Sequence, residues 1–275
     1  VLVLADCDVL TSGVAKRIKE FQARGGIVIG DERLASAIKA DMVIPVYTRT
    51  KKSDADKAEL LARAAALRKA LDGRYTRHAD TDNPNVIPRC RQSGAADYVF
   101  LVNDHREFGD YEGQHGLVME NGLPAKATLT LARKSGHVYD LLARRELPVM
   151  AAAGQLRMAV DLGPCEGRVF MITEQPITRV SIAGPATAKA GVAVEFKLTV
   201  VDARSQPVDA VVPMRIDILD PSGRLSEFSG YYGAAHGAVG IRLDPAKNDS
   251  PGLWQVRATE LASGLTASHY LRVNR

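Results

Sequence analysis

The run YVFLVNDHREFGDYEGQHG, residues 98–116, passes from a short apolar stretch into Asp104, His105, Arg106, Glu107, Asp110, Glu112 and His115. Carboxylates and imidazoles placed this closely could do three things. Two carboxyl groups about 5 to 10 Å apart across a sugar could hydrolyse a glycosidic bond. Closely spaced carboxylates also suit calcium, although their order departs from that of an EF-hand and Arg106 would compete for them. The third reading is a polar loop between domains, with Phe108 and Tyr111 packed on a neighbour and ion pairs that each add little. All of these carboxylates follow one strand, with no barrel or deep cleft in the pattern to position them. That favours the third reading, with no catalytic residue and no metal ligand assigned.

Other chemistry-bearing residues are scattered. Cys7 follows the apolar run VLVLAD. A nucleophilic cysteine of the amidotransferase kind needs a strand-to-helix elbow flanked by glycine, with His and Glu supplied later. Cys7 instead has Asp6 and Asp8 as neighbours, which disfavour a thiolate, and no His-x-Glu pair follows in this segment. A small residue in a strand-end turn is the expectation. Asp31 and Glu32 follow the strand IVIG, at the carboxyl end where doubly wound sheets bind ligands. The glycine-rich phosphate fingerprint is missing, so neither a nucleotide nor any other cofactor is expected. His78, Asp80, Asp82 and Asn83 read as a solvated polar group. Tyr231, Tyr232 and Trp254 could form an aromatic sugar platform, though the lone Trp254 is expected in a core. Cys7, Cys90 and Cys165 include no CxxC pair, which excludes zinc-ligand spacing. A Cys90–Cys165 bridge stays open.

These residues must be held by elements, and the elements change character along the chain. With 275 residues and 46% apolar composition there is material for two or three buried cores. The 36 basic and 32 acidic residues form no block of like charge, so no nucleic-acid stripe is expected. Apolar runs are strand-length, well short of the roughly 18 residues needed to span a bilayer. The chain opens on Val1 directly in an apolar strand, which reads as a piece of a longer protein, so that its own sequence does not report an export signal.

Residues 1–75 read as α/β. VLVLADCDVL is a strand, GVAKRIKEFQARGG a helix with Val14, Ile18 and Phe21 on one face, and IVIGD a second strand, a unit that implies a parallel sheet. A short helix at 33–39, a strand at 42–46 and a long helix capped by Ser53, with Asp54 and Asp56 in its first turn, should follow and end at Gly73. The polar run 76–96 reads as a linker. Beyond it the chain is all β: a sandwich over 97–176, then about seven strands over 177–275 at immunoglobulin-like spacing. Alternation in VEFKLTV and MRIDILD puts Val194, Phe196, Leu198, Ile216 and Ile218 inward. The fold class expected is a partial flavodoxin-like parallel sheet followed by two β-sandwich domains.

The first segment, through ADCDVLTSGVAKRIKEFQARGGIVIGDERLA, resembles the flavodoxin-like trimerisation domain of beta-galactosidase-type glycoside hydrolases, a fold related to class I glutamine amidotransferases. ADYVFLVNDHREFGDYEGQHGLVMENGLPAKATLTL with GPCEGRVFMI is similar to the small β-sandwich that ends many such hydrolases. KAGVAVEFKLTVVDARSQPV and SPGLWQVRATELASG resemble bacterial immunoglobulin-like or macroglobulin-like modules. The resemblance implies the C-terminal portion of an extracellular or periplasmic carbohydrate-active enzyme, without its catalytic barrel. Such a portion would be a non-catalytic scaffold contacting other domains of the parent protein, possible further copies of itself, and possible carbohydrate. The alternatives left open are a carbohydrate-binding module, or a hydrolase or amidotransferase using the 103–115 loop or Cys7.

Overall fold

The computed structural model describes residues 1–48, 53–108, 112–113, 116–117 and 120–275. It divides into two compact units, Val1–Thr76 and Arg77–Arg275.

In the first unit β1 (Leu2–Leu4), α1 (Ser12–Ala23), β2 (Val28–Asp31), β3 (Met42–Ile44) and α2 (Ser53–Leu71) follow one another. The strands form a parallel three-stranded sheet in the order β1-β2-β3, so β1 is parallel as expected but lies at an edge. Thr11 begins α1 by accepting the Val14 N–H, and the helix stops at Gly25, whose φ of 85° is costly for any residue with a Cβ. Gly26 follows because a Cβ there would lie 2.4 Å from the Phe21 ring. Ala15 and Ile18 are the buried residues of α1, against Val28 and Ile38, with Phe21 packed beside them as expected; Val14 alone of the expected face is exposed, and Ala15 takes its place. No helix forms at 33–39. The Asp31 carboxylate accepts the Arg33 N–H at 3.0 Å, and the chain closes turns from Leu34 N to Asp31 O and from Ile38 N to Ala35 O. A local side-chain acceptor of this kind offers the backbone an alternative to the helix. Ser53 is the first helical residue of α2, and its proposed capping role, like the side chain of Asp54, falls outside the described residues.

The second unit starts with a sandwich that includes most of the supposed linker. β4 (Ala79–Thr81) and β5 (Val86–Ser93) come before β6 (Ala96–Asn103), β7 (Arg106–Phe108), β8 (Glu112–Gly113), β9 (Gly116–Leu117), β10 (Glu120–Gly122) and β11 (Ala125–Leu131). Then come β12 (His137–Asp140), β13 (Arg145–Leu147), β14 (Met150–Ala152), β15 (Gln155–Leu162) and β16 (Gly167–Thr173). The sheets are β14-β15-β11-β4 and β13-β12-β16-β6-β5, with β7/β10 and β8/β9 as small hairpins. Both misread strands are edge strands. In β5, Val86, Pro88 and Cys90 turn inward while Arg89 and Arg91 face outward, and a proline is tolerated because one side of the strand has no ladder to complete. Val99, Leu101, Leu129, Leu156, Phe170 and Ile172 fill the core. No Cys90–Cys165 bridge forms: Cys90 packs partly into this core, which pushes its thiol up, while Cys165 is exposed in a turn beside Gly122.

The second sandwich comprises β17 (Ile177–Ala183), β18 (Thr187–Lys189), β19 (Val194–Asp202), β20 (Val212–Leu219), β21 (Gly230–Ala234), β22 (Ala238–Leu243), β23 (Gly252–Glu260) and β24 (Thr266–Asn274). A three-stranded sheet β17-β19-β22 faces a five-stranded sheet β18-β24-β23-β20-β21, in which β18 runs parallel to β24. Phe196, Leu198, Ile216 and Ile218 are buried as the alternation requires. Each such side chain contributes about 1.5 to 3 kcal/mol. Asp220 writes the turn after β20 by accepting from Ser222 N, Ser222 Oγ and Arg224 N, which holds its carboxyl at about 2. Glu260 is fully buried, and its carboxylate gathers the N–H groups of Ala262, Ser263 and Leu265 at the β23–β24 turn.

Candidate functional site

The polar run after β6 is organised by a residue the sequence did not single out. Asn103 is buried; its Nδ2 donates to the carbonyls of Leu123 and Gly163, both at 2.7 Å, and its Oδ1 accepts the His105 N–H at 3.0 Å. One amide thus ties three loops together, over sequence separations of up to 60 residues. His105 Nδ1 lies 3.0 Å from the Pro124 carbonyl, which can only accept, so the proton sits on Nδ1. Asp104 pairs with Arg106 at 3.4 Å, both half-exposed. Glu107 is exposed opposite Asn121 in the β7/β10 hairpin. Asp110, Tyr111 and His115 lie outside the described residues, as do the side chains of Phe108 and Glu112. Among the described residues no three His, Cys, Asp or Glu converge as a metal site would require.

A tighter carboxylate pair lies on the same sheet. Arg168 donates from Nη1 to Asp140 at 2.8 Å and from Nε to Glu166. Asp140 is almost fully buried and accepts the Leu142 and Ala143 N–H groups, while Glu166 accepts that of Gly163 at 2.6 Å. The Gly163 amide and Arg168 hold the Glu166 carboxyl below its ordinary range. A glycosidic general acid needs the opposite shift from that of Glu166, and both carboxylates are engaged by Arg168 and by the N–H groups of the loops beside them.

The remaining candidates separate. Among the described residues the Cys7 thiol has only the Ala5 carbonyl, at 3.5 Å, as a partner, and residues 1–76 contain no histidine. Asp31 is buried with its carboxylate taken by the Asp6 and Arg33 N–H groups, whereas Glu32 is exposed. Asp80 accepts the Thr81 N–H, Asp82 that of Thr128, and Asn83 that of Asn85, while exposed His78 offers its backbone carbonyl to Ala132; these are loop anchors. The three aromatics do not form one platform. Trp254 is 3% exposed and donates to the Ser250 carbonyl from within the core. Tyr231 and Tyr232 are successive strand residues and point to opposite faces; Tyr232 packs against the core with its hydroxyl on the Phe228 carbonyl, and Tyr231 is 69% exposed.

The strongest constellation is the joint between the sandwiches. Tyr98 and Tyr139 occupy the outer face of the β13-β12-β16-β6-β5 sheet together with Met171. Tyr139 and Met171, with Ala96, belong to the same core as Ile177, Val208 and Ala210 of the second sandwich. Tyr98 Oη donates to the Val211 carbonyl at 2.6 Å, and Tyr139 Oη accepts the Ile177 N–H at 2.8 Å. Burial pushes both phenols up to about 12. Backbone reaches backbone as well: Ala95 N donates to Asp209 O at 2.8 Å, and a Cβ on Gly94, whose φ is 59°, would lie 2.4 Å from that same oxygen. Beside the joint is a cleft of about 220 Å³ bordered by Glu174, Asp202, Arg204 and Asp209. It falls below the roughly 300 to 1,000 Å³ of ordinary ligand pockets.

No family model matches the chain, and no curated protein does. Among solved structures, a glycosyl hydrolase family 2 member from Bacteroides cellulosilyticus DSM 14838 aligns at 10% identity over 98% of this chain and 48% of that one, with a TM-score of 0.27. A putative beta-galactosidase from Bacteroides fragilis aligns at 14% identity over 66% and 33%, with a TM-score of 0.24. The Yersinia pseudotuberculosis adhesin InvE aligns at 11% identity over 71% and 60%, with a TM-score of 0.30. The chain therefore spans less than two thirds of each of these three, and scores of this size mark a distant likeness.

Proposed function

We propose that the chain is a non-catalytic scaffold and interface region of a larger carbohydrate-active protein of glycoside-hydrolase type. The observation that carries this reading is the joint, where two sandwiches share one hydrophobic core and are tied by two tyrosine hydroxyls, that of buried Tyr139 and that of partly buried Tyr98. A joint of that kind transmits position: it holds one surface fixed relative to another for the other domains of the parent protein or for further copies. The carboxylates near the polar run support the same view, because Arg106 and Arg168 hold three of them in ion pairs. The sequence resemblance supplies the carbohydrate context and an extracellular or periplasmic location. The test is turnover by the isolated chain on aryl glycosides and on glutamine, for which none is expected. Turnover abolished by Cys7→Ala, or by Glu107→Gln with the fold intact, would sink the reading.

A further inference from the structure

The outer face of the β18-β24-β23-β20-β21 sheet has a composition that neither core packing nor the joint explains. Cross-strand pairing puts Tyr231, Arg215, Thr259 and Thr266 in one row, Asp217, Arg257 and Ser268 in the next, and Leu219, Gln255 and Tyr270 in a third. Arg272 follows beside Leu253 and Thr187. Tyr231 is 69% and Tyr270 is 55% exposed. From strand spacing and rise, the two tyrosines stand about 20 Å apart along a diagonal of the sheet, with Arg257 between them.

This face is prepared as well as exposed. Arg215 sits 4.9 Å from the Tyr231 ring centroid, and Asp217 holds its Nε at 2.7 Å, so one face of the ring is fixed and the other is left open. Asp217, mostly buried, also takes Arg257 at 2.9 Å, while the Arg257 side chain remains 48% exposed. Gln255 is oriented by Ser268 at 3.1 Å. The face carries four cations, Arg215, Arg257, Arg272 and Lys189, against the single carboxylate of Asp217. Neither Arg272 nor Lys189 has an ion-pair partner among the described residues.

We propose that this sheet face binds an acidic polysaccharide, with uronate-bearing rings stacked on Tyr231 and Tyr270 and their carboxylates met by Arg257, Arg272 and Lys189. Charge complementarity selects an anionic chain. Flat, open aromatic faces separated by hydroxyl and amide groups select sugar rings and their hydroxyls. A nucleic acid would also be drawn by the cations, but Asp217 and the neutral Thr259, Thr266 and Ser268 dilute the positive charge where a phosphate backbone would need a continuous track. The proposal does not rest on the scaffold reading, since a module can bind glycan whether or not it also holds other domains.

The test is affinity electrophoresis and titration calorimetry of the whole chain at low salt with polygalacturonate, hyaluronate, neutral xylan and single-stranded DNA. Binding is expected to at least one acidic glycan and not to xylan, weakening as salt rises. Tyr231→Ala and Tyr270→Ala should each weaken it roughly tenfold, the loss usual for an anchoring aromatic. Tyr231→Phe should leave it nearly unchanged, because stacking needs the ring and not the hydroxyl. Circular dichroism checks that each variant is folded. No binding of any acidic glycan by the wild type overturns the proposal. So does a Tyr231→Ala, Tyr270→Ala double variant that binds as tightly as the wild type. Equal retention of DNA and polygalacturonate, lost in Arg272→Ala but not in the tyrosine variants, also overturns it, in favour of an unselective cationic surface.

Discussion

Each sandwich has a five-stranded sheet, and each sheet carries two tyrosines on its outer face with opposite fates. Tyr98 and Tyr139 are turned into a joint, one hydroxyl donating to Val211 and the other accepting from Ile177. Tyr231 and Tyr270 stand in solvent. Their sheet neighbours decide the outcome. Met171 flanks the first pair and extends apolar surface toward the next domain, whereas Arg215, Asp217, Arg257 and Gln255 surround the second pair and keep its face wet. An outer sheet face therefore becomes a joint or an open surface according to the residues between its aromatics.

The largest effect that could break this contrast is at Tyr139. Replacing it with alanine opens a cavity where the two cores merge and should cost about 3 to 5 kcal/mol. Urea unfolding is the measurement, and the contrast fails if Tyr139→Ala costs no more than Tyr231→Ala. Gly94→Ala should come next, at roughly 1 to 3 kcal/mol for the strained backbone alone, because its φ of 59° and the nearby Asp209 oxygen leave no room for a Cβ. Tyr139→Phe removes the hydroxyl that accepts the Ile177 N–H and should cost about 1 to 3 kcal/mol.

Alkaline pH sharpens the same comparison. The folded chain holds Tyr98 and Tyr139 protonated up to about 12, above their ordinary value of 10.0. Their contribution to stability is full below pH 10 and lost as pH rises from about 10 to about 12. Melting temperature should fall across that window, less steeply in Tyr139→Phe, and an unchanged slope would show that the phenol is not buried in the joint. The smallest effect belongs to the open face. Tyr231→Ala should change stability by less than about 0.5 kcal/mol, and a larger loss in urea unfolding would mean that the ring supports the sheet.

Much of this architecture is legible where one local period settles the matter. The parallel β1-α1-β2 unit follows from an apolar run, a helical stripe and Gly25-Gly26, and the inward face of β19 follows from strict alternation. Reading fails where the outward residues of an edge strand hide its inward ones, as in β5, or where one carboxylate redirects the backbone, as Asp31 does. The candidate site is less legible still. Asn103 and the Asp140–Arg168–Glu166 triad join residues far apart in the chain, and no spacing rule reports such pairing. Trp254 reads correctly as core by its type, but the partnership of Tyr231 with Tyr270 becomes visible only once strand order is known.

The strand order also sets a schedule for synthesis. β24, the last strand of the second sandwich, lies between β18 and β23, so that sheet stays split until the ribosome has delivered residue 274. Met171 and Tyr139 of the first sandwich depend on the second for cover and wait about a hundred residues longer, roughly 5 to 20 s at ordinary elongation rates. During that interval the nascent chain carries Tyr139 and Met171 on a sheet face that has yet to receive its cover.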